Sequence, residues 1–189
     1  MRATFAALAA LALAACATPA PVAPPVPGAH LVRAALTHFS LEGRLQVRDG
    51  EQNAIVGVDW QHGPGRDEWL FTGPLGQGLA RIEADAGGAR LTLPDGQRRD
   101  ASSAAELAES LLGVSAPLAL LPLWVTARLQ QGAEVREVDV LGRLARVVDQ
   151  GWTIEYPAYA TETPESLPRR VEVHRGDTRL RLIVDAWNP

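Results

Sequence analysis

The 189-residue chain has one cysteine and no lysine. A single thiol cannot close a disulfide within the chain, so the fold must hold together by burial. All 18 basic residues are arginine and stand against 22 acidic ones, a formal net charge of −4. That balance lacks the basic excess of a nucleic-acid binder, and no nucleic-acid partner is expected. Four histidines, His30, His38, His62 and His174, are scattered without the spacing of metal ligands, so no metal site is expected. A Gly-x-Ser-x-Gly elbow and a phosphate-cradling glycine loop are both missing. The acidic residues fall mostly on the wet faces of strands, and no spacing selects a catalytic pair. Catalytic signatures are therefore absent, and neither an enzyme activity nor a cofactor is expected.

What it does have is an N-terminal address. Residues 1–15 begin with Arg2 and continue almost wholly in alanine and leucine, too short a run to span a bilayer as a stable helix. The run ends Leu13-Ala14-Ala15-Cys16, small residues before a cysteine, which is the pattern of a lipoprotein signal peptide. Cys16 is the expected lipid-attachment site. The competing reading is an ordinary secretory peptide with an accidental cysteine. Residues 16–29 then form a linker with Pro19, Pro21, Pro24, Pro25 and Pro27 among small side chains. In an extended polyproline conformation the thirteen residues after Cys16 reach about 40 Å at ~3.1 Å each. Ala17 is not the aspartate that retains many lipoproteins at the inner membrane, so the outer membrane, on its periplasmic face, is the expected location. Residues 30–189 are long enough for one domain with a real core.

Within that domain Ala29 to His38 has the spacing of a short helix, with Leu31, Ala34 and Ala35 on one side. The period then changes to two. Phe39, Leu41, Leu45 and Val47 alternate with polar residues, as do Ala54, Val56, Val58 and Trp60, then Trp69 and Phe71, then Leu91 and Leu93 before an Asp95-Gly96 turn. Alternation of this kind means antiparallel strands with one wet face. Ser103 to Glu106 is a capping box that opens a helix closed by Gly113, and Pro117 to Arg128 is a second helix with Pro122 as a kink or a restart. Strands resume from Glu134 to Leu141 and from Arg143 to Gln150, then through Trp152, Ile154 and Tyr156, through Val171 and Val173, and from Leu180 to Ala186. The fold class expected is mainly β with inserted helices. About eleven strands form a curved antiparallel sheet, a half-open barrel with the two helices as a lid.

One loop is unusual. Gly73-Pro74-Leu75-Gly76-Gln77-Gly78 combines turn-forming residues with a leucine at its centre, where a polar residue is usual. Leu75 either folds back onto the core or is an apolar tip held out by a stiff turn.

Together these residues resemble the LolB family of outer-membrane lipoprotein receptors. The loop Gly73-Pro74-Leu75-Gly76-Gln77 is similar to that family's protruding loop. The likeness continues through Leu121-Pro122-Leu123-Trp124 and is strongest in Gln150-Gly151-Trp152-Thr153-Ile154-Glu155-Tyr156 with Tyr159. It extends to Leu167-Pro168-Arg169-Arg170-Val171 and to the closing Leu182-Ile183-Val184-Asp185-Ala186-Trp187. It departs after Trp124, where family members often carry a Gly-Pro type break and this chain reads Val125-Thr126-Ala127-Arg128.

The resemblance implies a protein that accepts lipoproteins from a soluble periplasmic carrier and inserts them into outer-membrane lipids. It implies partners of three kinds: the carrier, the acyl chains of client lipoproteins, and the membrane lipids themselves. A monomer is expected. Gly73, Pro74, Leu75 and Gly76 become the membrane-insertion loop. The inward-facing Val56, Trp60, Trp69, Phe71, Leu91, Trp124, Trp152, Ile154 and Tyr156 become candidates for lining an acyl-chain cavity, against the alternative that they only pack under the lid. The runner-up reading of the whole chain is a structural or assembly lipoprotein with a filled core and no lipid ligand, and a lipid-modifying enzyme is a distant third.

Overall fold

The computed structural model describes residues 30–113 and 117–189, so the signal segment, Cys16 and the linker lie outside the described residues. Eleven strands form one open antiparallel sheet. In chain order they are β1 (Phe39–Asp49), β2 (Gln52–Gly63), β3 (Arg66–Thr72), β4 (Gly78–Asp85), β5 (Gly88–Thr92), β6 (Arg98–Ala101), β7 (Glu134–Val138), β8 (Leu144–Asp149), β9 (Trp152–Tyr159), β10 (Pro168–Arg175) and β11 (Thr178–Asn188). Two helices, α1 (Ala104–Leu112) and α2 (Leu121–Val125), lie between β6 and β7.

The spatial order β6-β5-β4-β3-β2-β1-β11-β10-β9-β8-β7 is a meander in which the two chain ends pair at the centre. The first and last strands, β1 and β11, run side by side from Ser40↔Asn188 to Arg48↔Arg179. Their register shifts between Glu42 and Gly43. Gly43 is required there, because a Cβ at that position would stand 2.2 Å from the Ile183 carbonyl oxygen. The two edge strands, β6 and β7, are joined in sequence by the helical segment. The chain therefore passes from one edge of the sheet to the other through α1 and α2. α1 packs on β4, β5 and β6, whereas α2 touches β10 on the far half of the sheet.

The strands alternate as the sequence requires, and their apolar faces form one core. Leu41, Val47, Ile82, Leu91, Val147 and Ile154 are each at most 2 % exposed. At α1 the Ser103 hydroxyl accepts from the Glu106 N–H at 3.4 Å, and the Glu106 carboxylate takes the Ser102 hydroxyl instead of closing the box on Ser103. Gly113 ends the helix in the left-handed conformation, φ 71°.

Two expectations are corrected. Residues 30–38 are not helical: this segment has no regular structure. Its backbone is satisfied over long range instead, with the Leu31 N–H donating to the Gly142 carbonyl at 2.8 Å. The Arg33 guanidinium donates to the Pro164 and Glu165 carbonyls at 3.0 and 2.8 Å. The second helix is also shorter than Pro117–Arg128. It begins at Leu121, with Pro122 in the first turn, where its missing N–H costs nothing.

The exit from α2 resolves the departure at Val125-Thr126-Ala127-Arg128. The Arg128 N–H donates to the Leu123 carbonyl at 2.8 Å and the Ala127 N–H to the Trp124 carbonyl at 3.0 Å, a Schellman ending. Ala127 occupies the left-handed position, φ 52°, where glycine is usual. No helix among the described residues is long and apolar enough to cross a membrane.

Candidate functional site

Between the helices and the sheet lies a small cavity of about 40 Å³. Its floor is the apolar face of the central strands, including Leu41, Leu45, Val58, Trp60, Trp69 and Phe71. Val171, Val173, Leu180 and Leu182 form a second wall, and Ala108, Leu112, Leu118, Leu121 and Val125 form the roof. Every lining residue is apolar, so nothing in it can titrate or coordinate. The Trp60 indole N–H beside it is already used: it donates to Asp67 at 2.7 Å, and His62 meets the same carboxylate oxygen. The cavity has room for about one water molecule. An acyl chain of roughly fifteen methylenes would need this space to open.

The roof is held unequally. α2 is fixed by buried hydrogen bonds. The Trp124 indole donates to Asp149 at 2.8 Å, Gln130 donates to the other oxygen of Asp149 at 2.8 Å, and the Tyr156 hydroxyl donates to the Trp124 carbonyl at 3.0 Å. Burial pushes the Tyr156 hydroxyl well above its ordinary pKa. α1 makes no side-chain hydrogen bond to the sheet among the described residues; it rests on β4 to β6 through Ala104, Leu107, Ala108 and Leu112.

The nine sequence candidates divide accordingly. Trp60, Trp69 and Phe71 border the cavity. Val56, Leu91, Trp124, Trp152, Ile154 and Tyr156 are buried but do not border it. Trp124, Trp152 and Tyr156 belong to the cluster that fixes α2, with the Trp124 and Trp152 rings 6.2 Å apart. Sequence reasoning missed the roof residues Ala108, Leu112, Leu118, Leu121 and Val125, although their helical spacing marked an apolar face.

The other recesses are of different character. One of about 400 Å³ is bordered by Arg66, Glu83, Arg90 and Asp100, whose charges pair with one another. An open groove of about 440 Å³ lies beside residues 31–36 and includes Leu167 and Pro189.

The β3–β4 loop projects Leu75 into solvent, with 94 % of it exposed. The Gly76 N–H donates to the Gly73 carbonyl at 2.9 Å, the Gly73 N–H to the Gln77 carbonyl at 2.8 Å, and Gly76 has φ 78°. The molecule carries this same turn a second time. In Leu93-Pro94-Asp95-Gly96-Gln97 the Gly96 and Leu93 N–H groups each donate at 2.9 Å to the matching carbonyls, and Gly96 has φ 84°. There Asp95 holds the tip position and accepts from the Gln97 N–H at 2.9 Å. The backbone turn thus works with a polar tip as well as an apolar one; in the first copy it is the Leu75 N–H that finds a side chain, donating to Gln77 Oε1 at 3.1 Å. Turn formation does not explain a leucine at position 75, and neither does the core, which it does not touch.

The family model described as outer membrane lipoprotein LolB matches residues 37–187. An outer-membrane lipoprotein LolB of Azoarcus sp. is 43% identical over 189 residues, covering 99% of this chain and 98% of that one. One from Thiobacillus denitrificans is 38% identical, covering 86% of this chain and 87% of that one. A LolA superfamily protein of Nitrosomonas europaea, known as a crystal structure, superposes with a TM-score of 0.48 at 9% identity, covering 83% of this chain and 88% of its own.

Proposed function

The chain belongs to the LolB family, and from that premise we propose that it is a lipoprotein receptor of the outer membrane. It accepts acylated proteins from a soluble periplasmic carrier, shields their acyl chains, and passes them into the bilayer. Cys16 anchors it by lipid on the periplasmic face. The open sheet acts as a half-open barrel, and α1 with α2 acts as its lid.

The observation that carries this reading is the wholly apolar space between helices and sheet. A client with three acyl chains has roughly forty-five methylenes to hide, on the order of 35 kcal/mol against water at ~0.8 kcal/mol each. It cannot cross water unshielded, and a cavity with no polar group is the environment it needs. On this reading the 40 Å³ space is that of the closed lid. The unequal fastening supports opening on the α1 side, while α2 stays fixed through Trp124 and Asp149. Trp60, Trp69 and Phe71 then meet the acyl chains, and Leu75 probes the bilayer as they leave.

The test is uptake of a triacylated peptide by the protein with Cys16→Ser, followed by tryptophan fluorescence and native mass spectrometry. The reading expects one acylated peptide per protein and a fluorescence change from Trp60 and Trp69, with no binding of the deacylated peptide. A folded protein that takes up neither would be a structural lipoprotein with a filled core.

A further inference from the structure

The tether and the Leu75 tip leave the domain at opposite ends of the sheet. The turns at Gly50, Leu75, Gly96, Gly151 and Gly176 close one end, since β1–β2, β3–β4, β5–β6, β8–β9 and β10–β11 are each joined there. The turns at Gly65 and Gly142 close the other. The chain enters at this second end. The Leu31 N–H is bonded to the Gly142 carbonyl, and Arg33 is bonded to two carbonyls of the β9–β10 connection and lies over the Tyr159 ring at 5.5 Å. These bonds pin the chain, so no slack can be drawn from residues 31–38. β3 alone, seven residues, separates the two ends by about 23 Å at ~3.3 Å per residue before the loop is added.

We infer that the proline-rich linker sets how the domain meets its membrane: it must be long enough to carry the bilayer contact from the tethered end to the Leu75 end. This rests on the receptor reading above and adds a length requirement to it. Thirteen residues after Cys16 reach about 40 Å when extended, enough to cover the length of the sheet. Five residues reach about 15 Å, which is not. A tether that cannot span its two sites drives their effective concentration toward zero, whereas the absence of a tether leaves encounter free. A short leash is therefore worse than none.

The experiment deletes residues 20–27, leaving Ala17 to Pro19 with Gly28 and Ala29. It compares the lipid-anchored protein with its Cys16→Ser counterpart. Each is loaded with a fluorescent triacylated peptide, loading is measured, and arrival of the peptide in phosphatidylethanolamine–phosphatidylglycerol vesicles is followed. For anchored protein the vesicles are those that carry it. The expected result is a loss of about tenfold or more in the anchored, shortened protein and a change within about twofold in the unanchored one. Reinserting eight residues of alternating alanine and proline should restore delivery. Equal delivery by both anchored forms would overturn the inference, because the tip would then reach the bilayer without the span. Equal slowing of the anchored and unanchored shortened forms would also overturn it, since the linker would be acting through the fold. Failure to load the peptide at all would count against the receptor reading instead.

Discussion

Replacing Leu75 by aspartate separates membrane contact from folding. The turn should accept the change, because Asp95 holds the same position in the sister loop and accepts from the Gln97 backbone at 2.9 Å. Leu75 is 94 % exposed, so its removal leaves no cavity. Thermal stability should stay within about 0.5 kcal/mol of the parent. Contact with the bilayer is a different matter. Burying a leucine contributes about 1.5–3 kcal/mol, and the aspartate forfeits all of it. At about 1.4 kcal/mol per factor of ten, delivery should slow by roughly ten- to a hundredfold. Uptake of the acylated peptide, measured before vesicles are added, should be unchanged. Leu75→Phe should keep delivery near normal. The reasoning is refuted if a folded Leu75→Asp protein delivers at the parental rate. It is refuted equally if uptake and delivery fall together, since Leu75 would then serve the cavity.

Ala127→Gly should stabilise the domain by about 1 kcal/mol in chemical denaturation, because glycine relieves the left-handed backbone at the end of α2. Loss of stability there would mean that the buried alanine methyl matters more than its φ. Ile154 is fully buried and does not border the cavity, so Ile154→Ser should cost about 2–5 kcal/mol of folding stability. A stable variant that has lost only acyl binding would place Ile154 against the ligand. Burial raises the pKa of both Tyr156 and Tyr159 above that of a free phenol. The folded state therefore holds these protons more tightly than the unfolded chain, and that stability is complete below the unfolded pKa of about 10 and is lost as pH rises past it. The melting temperature should begin to fall as pH rises past about 10 and keep falling above it, and less so in Tyr159→Phe.

The strands were legible because their alternation is a local signal: Leu41, Leu45 and Val47 face the core for the same reason that Glu42, Arg44 and Arg48 do not. That signal says which face a residue takes but not how deep it sits. It could not separate Trp60 and Trp69, which border the cavity, from Trp152 and Ile154, which are buried away from it. The bond from Trp124 to Asp149 links positions 25 residues apart, and no local pattern announces it. The segment before β1 misled for a related reason. Its apolar spacing suits a helix, but its amide and guanidinium groups are satisfied by distant carbonyls at Gly142, Pro164 and Glu165. At α2 the proline mattered more than the apolar spacing, starting the helix late. The second copy of the loop was present in the sequence as Pro94-Asp95-Gly96-Gln97 beside Pro74-Leu75-Gly76-Gln77. Only the matched backbone hydrogen bonds show that the two tips can be compared.

The central claim is that acyl chains pass through this protein downhill, from carrier to cavity to bilayer. The direct measurement is a transfer assay with a carrier loaded with a labelled triacylated lipoprotein, this protein, and vesicles, without nucleotide. The label should move from the carrier to this protein on mixing, stay there until vesicles are added, and then enter them without returning to the carrier. A label that stays on the carrier, or that reaches the vesicles equally fast when this protein is left out, would contradict the account.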